Sequence, residues 1–409
     1  MERIIALLLA VMMLFSIASC AGTSTGDDEL KVGFIFLHDE NSTYDKNFID
    51  AAVTACTNMG VKMVQKTQIP ESNACYDAAV ELIETEECDI IFADSFGHEP
   101  FLDQAAAKYP DVQFCHATGT QAHTSANKNI HNAFASIYEG RYLAGVVAGM
   151  KLKEMIDAGK ITADKAKMGY VGAFTFAEVI SGYTSFYLGA KSIVPEVTMD
   201  VKFTGSWYDE EAEKQAAQAL IAGGCVLISQ HADSMGAPTA CENAKVPNVS
   251  YNGSTAAACP ETFLVSSRIN WVPYFEYMIT QVKNGEEIAK DWTGTIETGS
   301  VALTELGKNV AAGTAEKLDA VKAGFKDGSI KVFDTNNFTV TVGADNKNAK
   351  VDANGKLTSY MADVDFDTAY TADTEAVANG VFEESKHRSG PYFDLLIDGI
   401  TLLDRNYGG

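Results

Sequence analysis

Aromatic rings and carboxyl, amide or hydroxyl groups gather at the carboxyl ends of short apolar runs in this chain. Asp39, Tyr44 and Phe48 follow the run 32–37, and Asp94, Ser95 and Phe96 follow the run 89–93. Phe174 and Phe176 come after 167–172, Trp207 after 198–203, and His231 and Asp233 after 225–230. Asn252 closes the run 248–252, and Arg268 and Asn270 follow 263–267. Rings cover the apolar faces of a flat solute, while a few fixed donors and acceptors read its polar edge. The set is richer in rings than in the cation–anion pair a free amino acid wants, or in the planar polar cluster a sugar wants. It is a set for binding. GxSxG, HExxH and GxxxxGK[ST] are absent, and His98-Glu99 lacks a second histidine, so no catalytic residue is assigned and an enzyme is disfavoured. Several candidates have plainer uses: Phe48 as core, Asp94 and Asp233 as helix caps, and His231 as a structural histidine.

The elements that must position these groups alternate strand and helix. Short, almost wholly apolar runs such as 32–37, 89–93 and 113–117 are the mark of parallel strands buried on both faces. Between them, 45–59, 73–84 and 99–109 carry helical spacing, the last stopped by Pro110. A fifth strand is expected at 132–135. A long helix over 138–155 follows, with Gly140, Gly145 and Gly149 on it; Glu139, Arg141 and Lys151 interrupt its apolar run, which predicts a tightly packed core helix. The series then restarts: strands at 167–172, 198–203, 225–230, 248–252 and 263–267, helices at 177–191, 209–221, 234–245 and 272–283. This predicts two consecutive doubly wound α/β lobes, with ligand outside the carboxyl ends of both sheets, in the cleft between them. The lobes are expected to close about a hinge. The expected domains are lobe 1 over 31–135 plus about 265–300, lobe 2 over 136–264, and a C-terminal extension over 301–409 packing on the lobes. Within that extension, 316–325 reads as helix, 338–342 and 392–397 as strands, and Asp352-Ala353-Asn354-Gly355 as a hairpin turn.

The beginning of the chain predicts export. Arg3 precedes an apolar run over 4–15, too short to span a bilayer. Ile17-Ala18-Ser19-Cys20 has the hydrophobic, small, small, Cys order at which a lipoprotein signal is cut. Residues 1–19 are therefore expected to be a signal peptide, Cys20 the lipidation site, and 20–30 a flexible tether holding the protein at the extracytoplasmic face of the cell membrane. The 409 residues carry a net charge of −24, which argues against nucleic acid as a partner. The seven remaining cysteines, Cys56, Cys75, Cys88, Cys115, Cys225, Cys241 and Cys259, show no CxxC spacing, so no metal is expected. They read as buried thiols, with one disulfide, Cys56 to Cys75 or Cys88, left open.

Several stretches together resemble the basic membrane protein family of importer receptors, which includes purine nucleoside receptor lipoproteins. They are Lys31-Val32-Gly33-Phe34 with Tyr44-Asp45-Lys46-Asn47-Phe48, Ile91-Phe92-Ala93-Asp94-Ser95-Phe96-Gly97, Tyr138-Glu139-Gly140-Arg141-Tyr142-Leu143-Ala144-Gly145, and Gly205-Ser206-Trp207-Tyr208-Asp209. The resemblance covers about 31–304. It implies a type I periplasmic-binding-protein fold, a purine held between aromatic rings in the interlobe cleft, a permease and an ATPase as partners, no cofactor, and a monomer. In the nucleoside-binding pattern, ribose is served by an Asp after the late strand of the second lobe and a Lys after the return crossing. Asn252 and Ile269 stand at those places here, which tilts the expectation toward a free base such as adenine. Another small solute, or a surface signalling or antigen role, is the alternative.

Overall fold

The computed structural model describes residues 29–364 and 372–404; the expected signal peptide and Cys20 lie outside them. The chain divides after Leu30, and the fold described is that of the unit beginning at Lys31.

Its frame is twelve strands: β1 (Lys31–Ile35), β2 (Lys62–Lys66), β3 (Ile90–Ala93), β4 (Gln113–Ala117), β5 (Ile130–Ala135), β6 (Lys167–Gly172), β7 (Thr198–Phe203), β8 (Leu227–Gln230), β9 (Asn248–Tyr251), β10 (Phe263–Ile269), β11 (Asp291–Gly294) and β12 (Val301–Leu303). The first sheet has the order β11-β5-β4-β3-β1-β2, and every pair in it is parallel. The second runs β12-β10-β9-β8-β6-β7, parallel except for β12 against β10. The order β2-β1-β3-β4-β5 therefore recurs as β7-β6-β8-β9-β10. In each sheet the winding reverses between the first and third strand, which opens a crevice at their carboxyl ends. All four residues of β3 and of β8 are buried, as a strand covered by helices on both faces must be.

Local signals set the helix ends. Ser42 caps the helix Thr43–Met59 by accepting from the Asp45 N–H, and Gly60 ends it in the left-handed region at φ 59°. The long helix Ile137–Asp157 packs along Ala177–Lys191 with almost no gap: a Cβ on Gly145 would lie 2.0 Å from the Phe186 carbonyl oxygen. The same close approach, to the Ala190 carbonyl, explains Gly149, while Gly140 abuts Val301; among the described residues no helix is long and apolar enough to cross a membrane.

Three expectations are corrected. β10 pairs with β9 and so belongs to the second sheet; the chain recrosses after Ile269 rather than near 265. Residues 338–342 and 392–397 form no strands. Phe338, Val340, Phe393, Leu395 and Ile397 are buried in the core of the second lobe, so their alternation records extended chain packed on a core without a ladder partner. The extension does supply the helix Thr314–Asp327, the hairpin β13 (Ala349–Val351) and β14 (Leu357–Ala362), and the short strands β15 (Thr374–Glu375), β16 (Val377–Ala378) and β17 (Val381–Phe382). Its last strand, β18 (Ile400–Leu402), adds in parallel to the edge of the second sheet at β7. All seven cysteines are buried free thiols, and burial pushes Cys56 up to about 11 and Cys225 to about 12.

Candidate functional site

The loops after β1, β3 and β4 meet those after β6 to β9 around a cavity with about 370 Å³ of empty space, part of it open to solvent. Leu37, His38, Tyr44, Asp45, Ser95, Phe96 and Thr118 line it from the first sheet. Glu178, Trp207, His231, Asp233 and Tyr251 line it from the second. The two sides touch. The Thr43 N–H and hydroxyl donate to the Asp233 carbonyl at 3.0 and 3.2 Å, and the rings of Phe96 and Phe176 lie 5.3 Å apart. Tyr44 donates its hydroxyl to the Asp94 carbonyl at 2.7 Å, which turns its ring toward the cavity.

Four polar groups define the chemistry of the second lobe's wall. Glu178 stands in the first turn of the helix Ala177–Lys191, where the helix dipole favours a carboxylate. It accepts from His231 Nε2 at 3.1 Å and from the Tyr251 hydroxyl at 3.5 Å. Behind His231, the Tyr170 hydroxyl sits 3.1 Å from Nδ1 and accepts from Arg141 Nη2 at 2.9 Å. The Arg141 proton occupies a lone pair on the Tyr170 oxygen, so the Tyr170 proton faces Nδ1 and the histidine carries its own proton on Nε2. His231 packs where Gly182 has no side chain; a Cβ there would lie 2.8 Å from Nδ1.

Asp233 behaves differently. Burial, followed by the charges of Asp45, Glu213 and Glu178, pushes its carboxyl well above the usual range. Its loop is held by the Asp233 N–H donating to the Trp207 carbonyl at 3.0 Å and by Glu213 accepting from the Ser234 N–H at 3.1 Å. Burial pushes Glu213 itself up to about 7. Asp45 takes the opposite course. Burial opposes ionisation, yet hydrogen bonds from His38 and Ser42 hold it below the ordinary value. The cavity wall thus offers carboxyl, hydroxyl and imidazole groups among aromatic rings.

Of the residues singled out from the sequence, Tyr44, Ser95, Phe96, Trp207, His231 and Asp233 line this cavity. Phe176 lines an adjoining chamber, and Phe174 supports Trp207 edge-on at 5.1 Å. Five fall elsewhere. Phe48 is wholly buried and stacks on Trp271 at 4.5 Å. Asp94 turns its side chain inward to accept from the Leu37 N–H at 3.1 Å. Asp39 accepts from Asn41 in its own loop and from Gln68 just after β2. Asn270 caps the Val272 N–H. Asn252, at φ 65°, is buried behind Asp233 and donates to it at 3.4 Å. Sequence reasoning passed over Leu37, His38, Asp45, Thr118, Glu178 and Tyr251. His38 and Asp45 flank Tyr44 in the first loop, and Glu178 and Tyr251 stand at element ends; these positions were the available signal.

A family profile described as ABC transporter substrate-binding protein PnrA-like matches residues 36–336. The chain belongs to the Bmp family. A purine-binding protein of Brucella abortus is 29% identical over 316 residues, 76% of this chain and 85% of that one. A nucleoside-binding ABC transporter protein of Lactococcus lactis is 23% identical over 88% of this chain and 97% of its own length. A protein of Haloferax volcanii named for glucose binding in an ABC transporter is 32% identical over 58% of this chain, which spans only 56% of that protein's length. In fold, the chain is similar to an ABC transporter solute-binding protein of Aeropyrum pernix, with a TM-score of 0.63 at 16% identity, covering 78% of this chain and 95% of that one. The Bmp family is described as one of substrate-binding proteins of ABC transporters.

Proposed function

We propose that this protein is a lipid-anchored receptor, held to the membrane through Cys20, that binds a purine in the cleft between its lobes as a monomer and delivers it to an ABC importer. The observation that carries the reading is the cavity wall itself. Tyr44, Phe96 and Trp207 present rings, and Glu178 and Asp233 present carboxyl groups on the same surface, that of Asp233 pushed toward its neutral form by burial. A neutral carboxyl donates and accepts at adjacent atoms, which matches a ring nitrogen beside an exocyclic amine. The names of the Brucella and Lactococcus relatives agree with a purine or its nucleoside. A free base is favoured over a nucleoside: no lysine or arginine lines the 370 Å³ cavity, and Asn252 and Ile269 are both turned away from it.

Thermal unfolding of the full chain against adenine, guanine, their nucleosides and glucose tests this. A ligand at about 100 times its dissociation constant adds roughly 2.7 kcal/mol of stability. A larger shift with adenine than with adenosine is expected. No purine shift in protein refolded from denaturant, together with a shift by glucose, would transfer the site to the sugar named for the Haloferax relative.

A further inference from the structure

The family profile ends at residue 336, yet the chain beyond it reaches the cleft. A second chamber of about 570 Å³ adjoins the first, sharing Phe96, Thr118, Glu178 and Trp207 with it. Its outer side is made by Arg388 and Pro391 of the C-terminal extension. We propose that the extension's segment 388–391 is the outer wall of the ligand site and a strap between the lobes, and that Pro391 and Arg388 decide which substituents of the bound solute are accepted. This rests on the cleft being the ligand site.

The segment is rooted in the second lobe. Immediately after it, Phe393 is wholly buried and stacks on Phe333 at 4.3 Å, and β18 joins that lobe's sheet. It nevertheless makes its contacts with the first lobe. The Ser389 N–H donates to Asp291 Oδ2 at 2.6 Å, beside β5. Gly390 lies against the turn after β4: a Cβ there would sit 3.0 Å from the Gly119 carbonyl oxygen and 3.4 Å from that of Thr118. Thr118 is also a wall of the first cavity, so strap and ligand rest on the same turn. The segment is braced by Arg388, whose guanidinium donates to the carbonyls of Val364, Gly390 and Pro391 at 2.9 to 3.0 Å. Arg388, braced through its guanidinium, and Pro391 line the chamber together with Phe96, Phe176 and Trp207. Such a wall suits a compact apolar substituent and disfavours a polyhydroxylated one, whose hydroxyls would lose water without gaining partners. A strap fixed to one lobe and bonded to the other must also let go before the lobes part, which places it on the path of solute release.

Two variants test this. Asp291→Ala removes the acceptor that Ser389 shares with His123 Nε2, without altering either cavity wall, and His123→Ala, which spares the Ser389 bond, is its control. In the ligand-free protein it is expected to raise amide hydrogen exchange at 388–391 and 118–120 at least ten-fold; unchanged exchange in both segments overturns the strap whatever the solute. Pro391→Ala opens the chamber. With adenine and adenosine as calorimetric probes, it is expected to move the ratio of the two dissociation constants at least three-fold toward adenosine, and an unmoved ratio overturns the wall. If the unmutated protein binds neither probe, the purine reading falls, and the exchange result alone decides the strap.

Discussion

The Tyr170 hydroxyl lies 3.1 Å from Nδ1 of His231, and the proton it presents there decides what the far side of the histidine does. Arg141 is wholly buried, and its guanidinium donates to Ser250, Ser267, Tyr170 and Ser229. None of these is a carboxylate. A buried cation without a countercharge is costly; the chain Tyr170–His231–Glu178 connects it to one at the cavity wall. Glu178 therefore both lines the cavity and is the distant partner of Arg141.

Removing the relay while keeping the ring tests this relation. Tyr170→Phe leaves Arg141 Nη2 and His231 Nδ1 each short of a partner, for a loss of about 1 kcal/mol or more in stability. Ligand affinity is expected to fall about three- to ten-fold as Glu178 loses its fixed orientation. Nitrogen chemical shifts of the His231 ring are the decisive readout: a ring that keeps its proton on Nε2 in the variant would show that Tyr170 does not set the tautomer.

Trp207 is half-buried and faces the cavity. Stacking of a base on an aromatic ring contributes on the order of 1–3 kcal/mol, so Trp207→Ala should weaken purine binding roughly ten-fold or more. Titration calorimetry measures this directly, and an unchanged affinity removes Trp207 from the site.

The protonation of Asp233 makes a pair of substitutions informative. If its carboxyl acts neutral, Asp233→Asn retains a donor and an acceptor and is expected to hold affinity within about three-fold at pH 7, whereas Asp233→Ala loses ten-fold or more. Equal losses in both variants would mean that the ionised carboxylate is what the solute meets.

Glu213 carries a pH dependence with a definite sign. Its folded value is raised from 4.5 to about 7, so between these values the folded protein holds more protons than the unfolded chain. Stability is then greatest at acid pH and falls as pH rises through the window from 4.5 to 7, by about 3 kcal/mol for this group alone. Glu213→Gln should flatten that slope in urea unfolding curves taken across the window; an identical slope would assign the dependence to other carboxyls such as Glu384, also raised to about 7.

Cys20 is tested by metabolic labelling. Cys20→Ser is expected to lose incorporated fatty acid and to leave the membrane fraction, and retention of label would place the anchor elsewhere.

The sequence by itself determined the two doubly wound lobes. The short, largely apolar runs of β1, β3, β4, β6 and β8 belong to strands buried on both faces, and that burial is legible in each segment taken alone. The same alternation put Tyr44, Ser95, Phe96, Trp207, His231 and Asp233 near strand carboxyl ends, where the crevice lies, and all six line the cavity. Tertiary structure decided the rest. Phe48 and Asp94 stand at equally suitable positions in the chain, yet one stacks on Trp271 and the other turns to the Leu37 N–H. Side-chain direction at an element's end depends on which neighbour fills the space. Glu178 gained its role from Arg141 and Tyr170, which lie far from it along the chain and meet it only when the long helix packs against the second sheet. The strap left the least trace in the sequence. Arg388 and Pro391 reach the cleft only because Phe393 and β18 anchor the preceding loop to the second lobe, and no local periodicity records an attachment made by another segment.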